Sequence, residues 1–271
     1  MIILDSGAVT PDCLVFDVDG VLIESHESYQ EVIRLIVEQE WEKSGFTADG
    51  RGYSPGLNSV LKNHGAFNDD YDIAWTLLNI AAASGREKLS EALPPPETLE
   101  NLISGCGSDC VTWLPTRYKD KYDRARIRRL GQELYTGTEN SPGEWTLDRA
   151  MLGAHWSELP LPAYIYTGRD IREWRLAQKV LKWDDFPDER TVHVDMGIKK
   201  PSPEGLEYLC RAFGHEQPVF FGDTMSDLMS SKAFGKGWFA AIGDMLRGAR
   251  MRFPDIETAL SQTLDWKPQN A

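Results

Sequence analysis

Five short apolar runs rich in β-branched and aromatic residues set the fold class of this chain: "CLVFDV" (13–18), "AYIYT" (163–167), "TVHV" (191–194), "PVFFGD" (218–223) and "GWFAAI" (237–242). Each reads as a buried strand. After the second run, "DIREWRLAQKVLK" carries Ile171, Trp174, Ala177 and Leu181 at helical spacing, with Asp170 placed to cap the first turn. After the third, "SPEGLEYLCRAFG" opens on a Ser and a Pro and closes at Gly214, the order of a helix start and stop. Strands alternating with helices imply right-handed βαβ units, and so an α/β fold with a Rossmann-like parallel sheet covered by helices on both faces.

One interval breaks the alternation. Well over a hundred residues separate the first strand from the second, whereas later strands follow at the spacing of a single crossover. The interval holds helical patterns ("SYQEVIRLIVEQEWEKSG", "DDYDIAWTLLNIAAASG", "ETLENLISG", "DKYDRARIRRLGQELY") divided by turns such as "GRGYSPG" and "PPPE". The expected organisation is a core of residues 1–24 and 156–271 carrying an inserted all-helical domain, 25–155.

A net charge of −13 argues against an extended nucleic-acid surface, which relies on Lys and Arg. Composition, 41% hydrophobic and 26% charged, is that of a globular protein. The longest apolar candidate for a membrane span, "LLNIAAA" (77–83), is far too short, and "MIILDSGAVT" lacks the basic start of a signal peptide. Cytoplasmic residence is therefore expected. Four cysteines (Cys13, Cys106, Cys110, Cys210) form no CxxC pair and read as reduced structural thiols; Cys106 and Cys110 have no second ligand pair nearby for zinc.

Ligands of open α/β sheets collect outside the carboxyl ends of the strands. The first strand delivers Asp17 and Asp19 there, the second ends in Thr167 and Gly168, the segment after the third holds Lys200, and the fourth ends "GDTMSD" with Asp223 and Asp227. Crowded carboxylates destabilise one another's charge, and a divalent cation with oxygen ligands, of the Mg²⁺ kind, resolves that conflict. Lys200, the Thr167 hydroxyl and backbone N–H groups made accessible by Gly168 add donors suited to a phosphoryl group.

In order and placement these four segments resemble the four motifs of the haloacid dehalogenase (HAD) superfamily. The helical insertion resembles the C1-type cap of its subfamily I, and "HGAFNDDYDIAWTLL" resembles a subfamily IA clade of phosphatase-like proteins. The resemblance implies a Mg²⁺-dependent phosphatase acting on a small phosphorylated metabolite. Asp17 would be the nucleophile that forms an aspartyl-phosphate, and Asp19 the general acid and base. Asp17, Asp223 and the Asp19 backbone carbonyl would hold the metal, Thr167, Gly168 and Lys200 the phosphoryl oxygens. Asp227 would support Lys200 or a metal-bound water. Within the superfamily an acid at the position of Asp19 favours phosphate esters over haloacids or phosphonates. A phosphomutase of the β-phosphoglucomutase type shares all four motifs and is the alternative; a non-catalytic binding module on the same fold is the second.

Other features admit two readings. In "FNDDYD", Asn68, Asp69 or Asp70 could contact substrate, or Asn68 could cap the next helix while the acids complement its dipole. Residues 117–129 hold seven basic side chains against two acidic ones, either a steering patch or the solvated face of a helix whose Ile127, Leu130 and Leu134 point inward. His26 could reach substrate from the hinge or be an ordinary loop residue. The remaining histidines (His64, His155, His193, His215) are scattered and suggest no metal site, the tryptophans read as core filler, and oligomeric state is not encoded in any motif.

Overall fold

The computed structural model describes residues 10–67, 69–246 and 248–267. The strands are β1 (Cys13–Phe16), β2 (Ile23–Glu24), β3 (Arg149–Ala150), β4 (Ala163–Tyr166), β5 (Thr191–Val192), β6 (Pro218–Gly222), β7 (Trp238–Ile242) and β8 (Arg252–Phe253). Six of them form one parallel sheet in the order β5-β4-β1-β6-β7-β8, while β2 and β3 pair antiparallel on their own. The helices are α1 (His26–Lys43), α2 (Pro55–Asn63), α3 (Asp70–Ala83), α4 (Leu89–Ala92), α5 (Pro96–Ile103), α6 (Cys110–Arg117), α7 (Arg124–Thr136), α8 (Ile171–Leu181), α9 (Glu204–Phe213), α10 (Met225–Phe234) and α11 (Ile256–Leu264).

The chain divides into two compact units: one runs up to His26 and resumes from Asp148, and the other is Glu27–Leu147. This division differs from boundaries at 24/25 and 155/156, because Arg149 and Ala150 pair with Glu24 and Ile23 and so belong to the sheet-bearing unit. Alternate residues of the central strands supply two cores, as period-two geometry requires. Leu14, Phe16, Ile165 and Phe221 pack against Trp174 and Leu181 of α8 and Ile256 and Leu260 of α11. On the other face Val15, Tyr164, Tyr166 and Phe220 meet Leu206 and Leu209 of α9. Each such fully buried side chain contributes about 1.5–3 kcal/mol by leaving water. Helix α8 starts on a capping box, the Asp170 carboxylate accepting from backbone N–H groups of the first turn while Glu173 reaches back.

In the helical unit, α3 is buried from Tyr71 to Ala82. Its N-cap is Asp69, which accepts from the N–H groups of Tyr71 and Asp72; Asn68 lies outside the described residues. Asp70 pairs with Lys62 at 2.8 Å and Asp69 with Arg128. Part of the basic run is paired in the same way: Arg124 binds Asp72 through two hydrogen bonds (2.6 and 2.8 Å), and Arg126 meets Glu40. The inward face of α7 is Ile127, Gly131 and Tyr135, with Leu130 and Leu134 half-buried. Gly131 takes the inner place because a Cβ there would stand 2.2 Å from the Tyr71 ring. Among the described residues, no helix is long and apolar enough to cross a membrane.

Candidate active site

Strand register brings the expected residues to one edge. Phe16 is level with Ile165 on β4 and with Phe221 on β6, so Asp17 follows β1 beside the last residues of both neighbours. The Asp17 N–H donates to the Phe221 carbonyl, which fixes the strand end. Because β4 and β6 flank β1 while their connections depart in opposite directions, this is the crevice at which α/β sheets bind ligands.

Two glycines make the close packing possible. Gly20 turns the chain with φ of +68°, and a Cβ on it would lie 2.2 Å from an Asp223 carboxylate oxygen. A Cβ on Gly222 would lie 2.4 Å from Asp227 Cβ.

Lys200 Nζ sits between two buried acids, 2.7 Å from Asp17 Oδ1 and 2.6 Å from Asp227 Oδ1. Asp227 also closes the capping box of α10, its Oδ2 accepting from Thr224 N–H (3.0 Å) and the Thr224 hydroxyl (2.5 Å). The geometry thus uses Asp227 to hold Lys200 and the helix start. One carboxylate oxygen from each of Asp17, Asp223 and Asp227 falls within 4.8 Å of the others.

Three acids around one ammonium leave negative charge uncompensated. Burial, then Asp227, push Asp17 up to about 7 against the pull of Lys200. Burial, then Asp17 and Asp227, push Asp223 well above the carboxylate range. For Lys200, burial alone would lower the ammonium, but Asp17 and Asp227 outweigh it and hold it above its usual range. An all-oxygen donor set that destabilises its own charge fits a hard divalent cation.

Thr167 directly follows β4 and is fully buried, its hydroxyl oxygen accepting from Arg169 N–H at 3.1 Å. Gly168 beside it is exposed, and a Cβ there would meet no protein atom, so packing does not impose the glycine.

Asp19 stands outside the three-acid group, yet near enough to help raise Asp17 and Asp223. The Ser25 hydroxyl donates to its Oδ1 at 2.5 Å, and Arg169 donates Nε–H to Oδ2 (3.1 Å) and Nη2–H to Oδ1 (2.7 Å). Arg169 is itself buried and ties Asp19 to Asp148 (3.2 Å) and to the Glu173 carbonyl (3.2 Å). Sequence reasoning passed over Ser25, Asp148 and Arg169. A signal was present in Arg169, a charged side chain directly after the strand-end "TG", although its partners lie far off in the chain.

A parallel α/β sheet with this acid and lysine constellation at the end of its first strand defines the class of fold: the chain shares the fold of solved HAD-superfamily hydrolases. Among solved structures it is similar to phosphatase Tt82 from Thermococcus thioreducens, at 25% identity and a TM-score of 0.68 over 93% of this chain and 99% of that one. It also resembles a HAD-superfamily hydrolase of subfamily IA, variant 1, from Geobacter sulfurreducens (15% identity, TM-score 0.51, 93% and 96% coverage). A hydrolase from Pseudomonas syringae aligns at 14% identity and a TM-score of 0.52 over 95% of this chain and all of that one. No family model matches the chain, and no curated protein matches it.

Proposed function

We propose that the protein is a phosphatase that hydrolyses a small phosphorylated metabolite through an aspartyl-phosphate on Asp17. The observation that carries this reading is the convergence of Asp17, Lys200, Asp223 and Asp227 at the end of β1, with a second carboxylate, Asp19, held separately by Arg169 and Ser25.

An Asp17 oxygen attacks phosphorus as the ester P–O bond breaks, and the proton on Asp19 passes to the departing alkoxide. Asp19, now a carboxylate, takes a proton from a water whose oxygen attacks the phosphoryl group, releasing inorganic phosphate and restoring Asp17. Lys200 neutralises phosphoryl charge and holds Asp17, while Thr167 and the Gly168 backbone N–H supply hydrogen bonds. Asp17, Asp223 and the Asp19 backbone carbonyl would hold Mg²⁺, which supplies Lewis-acid stabilisation of charge on the transferring group when bound. The helical unit Glu27–Leu147 acts as the cap that selects the substrate.

Hydrolysis of a generic aryl phosphate tests this. Activity should require Mg²⁺, vanish on chelation and fall to background in Asp17→Asn. Activity indifferent to either change refutes the reading. Poor hydrolysis with phosphate exchange on a sugar phosphate would instead support a mutase.

A further inference from the structure

We propose that Tyr166 and Phe220 are positioning residues, whose ring faces form a floor that holds the Lys200 ammonium in place for a phosphoryl group. The inference rests on the reading of Lys200 as the cation that meets the phosphoryl oxygens. Lys200 Nζ stands over both rings, 5.4 Å from the Tyr166 centroid and 5.6 Å from that of Phe220. Both distances fall inside the reach of about 6 Å at which the negative face of an aromatic ring attracts a cation. The rings come from β4 and β6, the two strands that flank β1, and they stack with centroids 6.1 Å apart. Both are fully buried on the α9 side of the sheet.

Two contacts tie the Tyr166 ring to Lys200 beyond ordinary packing. Its hydroxyl donates to the Ser202 carbonyl at 2.9 Å, which pins the ring to the segment that carries Lys200. A Cβ on Gly205, in the first turn of α9, would stand 2.5 Å from the same ring, so the helix forgoes a side chain where the ring is seated. The floor also completes what the acids leave open. An ammonium has three N–H donors, and Asp17 and Asp227 accept two of them at 2.7 and 2.6 Å. Two contacts alone let Nζ swing about the line that joins them, and the ring faces close one side of that swing. A third carboxylate there would add negative charge to a site that must take up an anion. Ring faces attract the ammonium without adding net charge, and so leave the third N–H for a phosphoryl oxygen.

Phenylalanine analogues with one, two and three ring fluorines, installed at position 220 of the full chain by codon suppression, test the proposal. Each fluorine drains charge from the ring face and keeps its shape and apolarity, so a side chain that only packs leaves the kinetics unchanged. With Mg²⁺ and an aryl phosphate, kcat/KM should fall stepwise along the series, by about tenfold in total. Tyr166→Leu should lose about as much, and Tyr166→Phe, which keeps a ring without the hydroxyl, should recover most of that loss. Lys200→Met and Asp17→Asn are measured beside them. With both of these inactive, a flat fluorine series, or a Tyr166→Phe as impaired as Tyr166→Leu, overturns the aromatic floor and leaves the phosphatase reading standing. Activity in Lys200→Met or Asp17→Asn, or none in the wild type, overturns that reading and the floor with it.

Discussion

Replacing Arg169 by Ala should separate what this side chain does for stability from what it does for chemistry. Its guanidinium is 1% exposed and bridges Asp148, whose side chain is fully buried, to Asp19, about a third exposed. Removing the cation takes the guanidinium from the buried Asp148 carboxylate, and breaking a buried pair from one side costs about 3–5 kcal/mol. The more exposed Asp19 contact adds no more than about 1 kcal/mol after screening. At roughly 2–4 °C per kcal/mol for a chain of this size, Tm should fall by roughly 6–24 °C. Asp19 would also lose its bidentate hold, and a general acid displaced by an ångström lowers kcat about a hundredfold with little change in KM. Arg169→Met/Asp148→Asn removes both buried charges, so it should recover most of the lost Tm while kcat stays low. Differential scanning calorimetry and steady-state hydrolysis of an aryl phosphate read the two effects. A double variant as unstable as Arg169→Ala, or one with normal kcat, refutes the reasoning.

Charge crowding at the acid cluster predicts a pH dependence. Asp17 and Asp223 are raised in the folded protein, so their contribution to stability is present at low pH and is lost as pH rises through about 7 for Asp17. Chelated wild type should therefore melt lower at pH 8 than at pH 5, and chelated Asp223→Asn should melt above it at pH 8, the gap closing toward pH 5; equal melting at pH 8 contradicts this. In the helical unit, Gly131→Ala gains about 1 kcal/mol of helix propensity but drives a methyl into the Tyr71 ring, an overpacking cost of about 1–3 kcal/mol. A net fall in denaturant midpoint is expected, and a rise would show that Tyr71 moves freely.

The parts of the molecule legible from sequence are those whose physics is local. Apolar β-branched runs marked β1, β4, β5, β6 and β7, and Asp170 and Gly214 marked helix ends. Register then carried Asp17, Asp223 and Asp227 to one edge, because parallel strands share a carboxyl end. The two-residue strands β2, β3 and β8 are too short to carry a period, and α4 and α6 lack an amphipathic stripe long enough to stand out. Long-range pairings were illegible for a different reason. Nothing near Arg169 announces Asp19 or Asp148, since only the completed fold brings them together. In "FNDDYD" the residue types pointed to Asn68 as the cap, with the acids complementing the dipole; Asp69 takes the capping place.

The central claim is that Asp17 becomes phosphorylated. Acid-quenching an Asp19→Asn variant turning over an aryl phosphate with Mg²⁺, followed by peptide mapping, tests it most directly. With attack at phosphorus intact and the base for hydrolysis gone, the peptide containing Asp17 should carry a phosphoryl group that neutral hydroxylamine removes. Release of inorganic phosphate with Asp17 unmodified throughout, or a phosphoryl group on another residue, would contradict the account.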